Sequence, residues 1–218
     1  MTSTIVIDAS SVPVAATDHV ARQTRAAGPR PALTFSGVLR SEWIKLASLR
    51  SIRITLLVTV LAGLGLSTMI ALLWSQEITA GGAAPSEADL QGYLLIVSTS
   101  AASFLALVFG VLGVCAVASE YSTGMIQSTL TAVPRRSPVA SAKMLVLAAI
   151  SAAAALVIIG GGLAIAALSL PAAVPALGST AVLSGALGMV SYLVLFALFA
   201  AGVAGLLRST AGGIAVVA

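Results

Sequence analysis

The residues best suited to specific chemistry lie between Glu120 and Arg136, which reads EYSTGMIQSTLTAVPRR. Glu120 opens the stretch and Gly124 permits a turn. Met125, Ile126, Thr129, Leu130 and Val133 then share one face of a short helix, Pro134 stops it, and Arg135 and Arg136 follow. The chemistry on offer is recognition: an apolar helix face that fits a groove on a partner protein. The same residues also suit a plain connector whose basic pair fixes topology, and on residues alone both readings stand.

Catalysis finds no comparable support. No stretch matches the phosphate-cradling G-x-x-x-x-G-K-[ST] loop, so the chain has no nucleotide site of that kind. No His, Cys, Asp or Glu cluster has metal-ligand spacing, and no Ser, His and acid set could assemble a hydrolytic centre. His19 stands alone near the N-terminus, and Cys115 stands alone in an apolar run, where it reads as a small packed residue. No cofactor is expected.

A second informative segment covers residues 33–50. Phe35, Val38, Leu39, Trp43, Leu46 and Leu49 recur at steps of three and four, while Arg40, Lys45 and Arg50 fall off that stripe. A basic amphipathic helix bearing a Trp, placed just before an apolar run, is expected to lie in the headgroup plane of a membrane. Its alternative is a juxtamembrane basic segment that only enforces topology.

The elements that must position these segments are membrane spans. The chain is 59% hydrophobic and 8% charged, with a mean hydropathy of +1.09, whereas a soluble domain carries about a quarter charged residues. Ile54–Trp74 is uncharged over a length that covers a hydrocarbon core of about 30 Å, and Gly92–Ala118, Met144–Leu170 and Val174–Leu207 are longer. Pro175 and Gly178 move the start of the last helix toward Val182. Backbone groups in lipid need internal partners, so these runs are helices. The expected fold is an all-α, polytopic membrane helical bundle: a disordered tail at 1–32, the interfacial amphipathic helix at 33–50, and a transmembrane domain at 51–218. Its spans fall at about 54–74, 92–118, 144–170 and 182–207, with the start of a fifth at 213. The Gly160–Gly162 triplet is expected to weaken its helix at mid-span.

Charge position sets the topology. All eleven basic residues precede the first span, lie between the second and third (Arg135, Arg136, Lys143), or follow the fourth (Arg208). The loop 75–91 holds Glu77, Glu87 and Asp89 but no Lys or Arg, and 171–180 is uncharged. The positive-inside rule then places the N-terminus, the 120–136 loop and Arg208 in the cytoplasm, in a multi-pass protein of the cell membrane. The same distribution accounts for the net charge of +4 without invoking nucleic acid. The apolar interiors of the four spans contain no ionisable residue, which disfavours a proton-coupled carrier or an intramembrane protease.

The 120–136 loop resembles the cytoplasmic loop of permeases from the type-2 class of ATP-binding-cassette transporters. Glu120, Gly124, Leu130, Pro134, Arg135 and Lys143 match the pattern of that loop, although Gln127 stands where a charged residue is frequent. Ser41-Glu42-Trp43-Ile44-Lys45-Leu46 is similar to the entry helix of actinobacterial members, and Leu207-Arg208-Ser209-Thr210-Ala211-Gly212 to the turn after their fourth span. The resemblance implies a permease subunit that forms the substrate path of an exporter, works with a second permease copy, and leaves ATP hydrolysis to a separate cytoplasmic ATPase subunit. It implies that Glu120, Gly124, Met125, Leu130, Pro134 and Arg135 couple to that ATPase, helped by the interfacial helix carrying Phe35, Leu39, Trp43 and Leu46. It also implies six spans, so the short apolar stretch Ile214–Ala218 reads as the beginning of a longer frame. The reading from a different class is a non-transporting membrane scaffold or immunity-type protein that uses the same loop to bind a regulator.

Overall fold

The computed structural model describes residues 34–82, 84–122, 136–207 and 209–217. Among the described residues seven α-helices run in order: α1 (Phe35–Ser48), α2 (Arg50–Ala80), α3 (Glu87–Thr99), α4 (Ala102–Ser122), α5 (Arg136–Ser169), α6 (Thr180–Leu207) and α7 (Thr210–Val217). A 3₁₀ segment, Pro171–Gly178, joins α5 to α6, its first residue the proline whose missing N–H a helix start does not need. Among the described residues there is no strand. Four helical stretches are long and apolar enough to cross a membrane: Arg50–Ala80, Glu87–Ala118, Val139–Ser169 and Thr180–Leu207.

Each boundary has a local cause. Leu49 separates α1 from α2 with an extended ψ of 110°, so a single residue turns the chain from one helix axis to the next. The hydrogen-bond ladder survives on either side, Leu49 N–H donating to Lys45 O and Arg53 N–H to Leu49 O. At the opposite end of the bundle Ser86 and Asp89 form a capping box that starts α3. The Asp89 carboxylate accepts from the Ser86 N–H at 3.0 Å and its hydroxyl at 2.6 Å, while the Asp89 N–H donates back to Ser86 Oγ at 3.3 Å.

The second spanning stretch is interrupted in its middle. α3 ends at Thr99 and α4 begins at Ala102 with neither glycine nor proline between them. The hydroxyls of Ser98 and Thr99 both fold back onto Leu95 O just before the interruption, at 3.0 and 2.7 Å, and the Ser100 N–H still donates to Ile96 O at 2.9 Å. Single hydroxyls elsewhere, such as Thr68 on Leu64 O, leave their helix intact.

The Gly160–Gly162 triplet behaves otherwise than expected: α5 runs unbroken from Arg136 to Ser169. α2 packs along it there. A methyl group on Gly161 would meet Leu64 at 2.6 Å, and one on Gly162 would meet Ser67 Oγ at 2.9 Å, so the glycines are seats for α2 side chains. Intrahelical hydrogen bonds in a packed bundle outweigh their poor propensity.

The core is stacked in three levels. Leu46, Ile52, Leu112, Val146 and Leu147 fill the end that carries the basic residues; Leu105, Phe109, Ile158, Met189 and Leu193 fill the middle; Tyr93, Leu94, Ala166, Leu170 and Val182 fill the far end. The Tyr93 hydroxyl sits 3.2 Å from Ala71 O and 3.1 Å from Ala166 O, sharing its one proton between α2 and α5. α4 and α6 make the closest crossing. Gly113 lies against the backbone of Ala197, where any side chain would collide with the carbonyl. Such small-residue seams let helices approach in lipid, where dispersion rather than water exclusion holds them together.

Candidate functional site: a charged joint at the basic end of the bundle

The joint is built where α1 meets the first turns of α5. Val38, Glu42 and Leu46 recur every fourth residue, so they form one stripe, and all three are buried. Val38 packs with Val139 and Ala142, and Leu46 enters the core with Val146 and Leu147. Between these apolar contacts Glu42 is 1% exposed. Its carboxylate accepts from Lys45 Nζ at 2.7 Å and lies 2.8 Å from Lys143 Nζ. Lys45 belongs to α1 itself, one turn on; Lys143 belongs to α5 and is 7% exposed. One buried carboxylate thus pairs with two ammonium groups and joins two helices.

Burial alone would raise the Glu42 carboxyl pKa. The hydrogen bonds and charges of Lys143 and Lys45 outweigh burial and hold it below its ordinary value of 4.5. Glu42 is therefore ionised near neutrality. The arrangement has no nucleophile or proton acceptor with a perturbed partner; its chemistry is mechanical, a charge-assisted clamp.

The four expected residues of the interfacial helix separate in the structure. Leu46 is buried and Leu39 half-buried, both toward the bundle, whereas Phe35 and Trp43 are exposed. The single apolar stripe read from the sequence is thus two: one packed on α5, the other facing outward. The reason is Glu42, a charged residue whose neutralisation by Lys143 lets it occupy the packed face. Glu120 stands in the last turn of α4. Gly124, Met125, Leu130, Pro134 and Arg135 lie outside the described residues. The joint nonetheless adjoins that loop, because α5 begins at Arg136 and reaches Lys143 after two turns.

At the other end of the bundle a groove of about 470 Å³ lies between α2 and α3, lined by Trp74, Glu77, Ile78, Asp89, Gly92 and Tyr93 among others. Asp89 is committed there to capping α3 and Tyr93 to its two carbonyls. Among the described residues no group of three His, Cys, Asp or Glu could hold a metal.

Four apolar helical stretches long enough to cross a membrane, and a short helix clamped by an ion pair to the foot of one of them, define a multi-pass helical membrane protein. The family model for ABC-2 family transporter proteins matches residues 38–216, from the buried face of α1 to the end of α7. The chain belongs to that family, as a membrane-spanning permease component. No curated protein and no solved structure matches the chain.

Proposed function

We propose that this permease subunit forms the substrate path of an ATP-driven exporter together with a second permease copy, and that residues 120–136 couple it to a separate cytoplasmic ATPase subunit. The observation that carries the reading is the Glu42–Lys143 ion pair at 2.8 Å, which ties α1 to the helix that begins where the 120–136 loop ends. A rigid element pushed at the loop would move the foot of α5, and α1 would move with it. Such a two-element body is what a conformational signal needs to pass from an ATPase to the spans. The Lys and Arg distribution supports a cytoplasmic position for the joint, where an ATPase would find it. Glu120 would fix the loop helix to α4, and Met125 and Leu130 would be the anchors that fill a groove on the partner.

The test is co-purification with a cassette ATPase co-expressed from the same organism, together with substrate-stimulated ATP hydrolysis. Losing a buried anchor commonly costs at least about 1 kcal/mol and a hot spot about 2 or more, so Leu130→Asp is expected to release the partner. Glu120→Ala is expected to retain it while hydrolysis no longer drives export. Normal co-purification and hydrolysis in Leu130→Asp would reduce the loop to a connector. Capture of a regulator in place of an ATPase would favour a scaffold.

A further inference from the structure

We propose that the groove between α1 and α5 is a binding site for an anionic phospholipid, one acyl chain lying in the groove and the phosphate held by Arg40. The groove has a volume of about 450 Å³ and is lined by Leu39, Trp43, Leu145, Val146 and Ala149, with Arg40 among its residues. It lies on the outward side of the same helix whose inner stripe carries the clamp. Three observations select its occupant.

The first is charge. Glu42, the acid of α1, is buried on the opposite face and saturated by Lys45 and Lys143. Arg40 is exposed, and among the described residues no carboxylate pairs with it. A guanidinium beside an apolar trough complements a ligand with an anionic head and a hydrocarbon tail. Its planar fork also matches the oxygens of a phosphate. The second is the Trp43 side chain. It is 50% exposed, and its indole N–H has no acceptor among the described residues. An indole with an apolar body and an unused donor is suited to the boundary between acyl chains and headgroups. The third is size. One turn of helix with its side chains, about 10 Å across and about 5.4 Å long, would already fill the groove, which favours a methylene chain over a docked protein element.

The protein contains its own reporter. It has two tryptophans, Trp43 and Trp74, so the full chain carrying Trp74→Phe leaves Trp43 as the only indole. Reconstituted in phosphatidylcholine vesicles, it is titrated with phosphatidylglycerol or phosphatidylcholine brominated on the acyl chain, since bromine quenches tryptophan on contact. A basic residue near a membrane surface favours anionic lipid by about fivefold. The brominated phosphatidylglycerol is therefore expected to quench Trp43 at about fivefold lower mole fraction than the brominated phosphatidylcholine. Arg40→Gln is expected to bring the two curves together, while Arg50→Gln with Arg53→Gln, which removes basic charge outside the groove, leaves the preference in place. Equal quenching by both lipids in the parent protein overturns the proposal, as does a preference that survives Arg40→Gln. If neither lipid quenches Trp43, no acyl chain reaches the groove, and the proposal also fails.

Discussion

At the residue scale the decisive group is the Glu42 carboxylate. Removing one partner of a buried ion pair leaves the other as an uncompensated charge, a loss of about 3–5 kcal/mol. Lys143, 7% exposed, would be that charge. Glu42→Ala is thus expected to lower the thermal unfolding midpoint in detergent at neutral pH, with Glu42→Ala/Lys143→Met recovering most of the loss by removing the stranded ammonium. The pH dependence has a definite sign. Because the native carboxyl pKa lies below its ordinary value of 4.5, the clamp's contribution is complete above that value and disappears as the pH falls through the lowered native pKa. Acidification should therefore bring the midpoint of the parent protein toward that of Glu42→Gln, which has no titrating group at this position. Parallel midpoints down to pH 3 would show that Glu42 does not titrate with unfolding.

At the element scale the interruption between α3 and α4 has consequences for what the second span can face. Thr99, Ser100 and Ser103 are exposed on the surface of this single chain, close to the middle of the Glu87–Ala118 stretch. Exposed hydroxyls at mid-span suit a water-filled cavity or a protein-covered face better than hydrocarbon. If this face borders a hydrated path, a cysteine at Ser100 or Ser103, in a Cys115→Ala background, should react in intact membranes with a small water-soluble thiol reagent. A cysteine at Leu61 or Leu195, both exposed and apolar, should not. Equal inertness at all four sites would mean that another protein surface covers the break. The same contrast explains why Gly160–Gly162 leaves α5 intact. α2 seats Leu64 and Ser67 on two of those glycines, whereas Ser98 and Thr99 meet only Leu95 O of their own helix.

At the scale of the whole molecule, the bundle separates polar chemistry into two ends. The clamp, Arg50 and Arg53 lie at one end, and Glu77, Glu87 and the Asp89 cap lie at the other. A cysteine at Ser86 is expected to be labelled by an impermeant reagent in whole cells. One at Arg135 is expected to react only after permeabilisation, since basic segments are retained on the cytoplasmic side. The reverse pattern would remove the proposed ATPase contact along with the topology. Between the ends, the second spanning stretch is the most enclosed, with 61% of its apolar window buried against 22% for Arg50–Ala80. The first span is thus the one most available to lipid or to a second copy.

The sequence by itself determined the class of fold and the spans, because a helix crossing lipid must satisfy its own backbone and exclude charge, and both demands are written in composition and run length. It also determined which segments lie at the basic end, through the one-sided placement of Lys and Arg. The pairing inside that end was not legible. Glu42 is the lone acid among the basic residues of 33–50 and Lys143 one of three bases before the third span, a complementary pair of signals, but a hundred residues lie between them and periodicity cannot rank such partners. The apolar positions of α1 therefore divide between the packed side and the exposed side in a way that spacing does not show. Helical spacing says which residues share a face, while the neighbour that face meets decides whether a carboxylate can be buried in it. The seating of Leu64 on Gly161 likewise depended on where α2 crosses α5. These are outcomes of packing between elements distant in the chain, and only the tertiary structure could decide them.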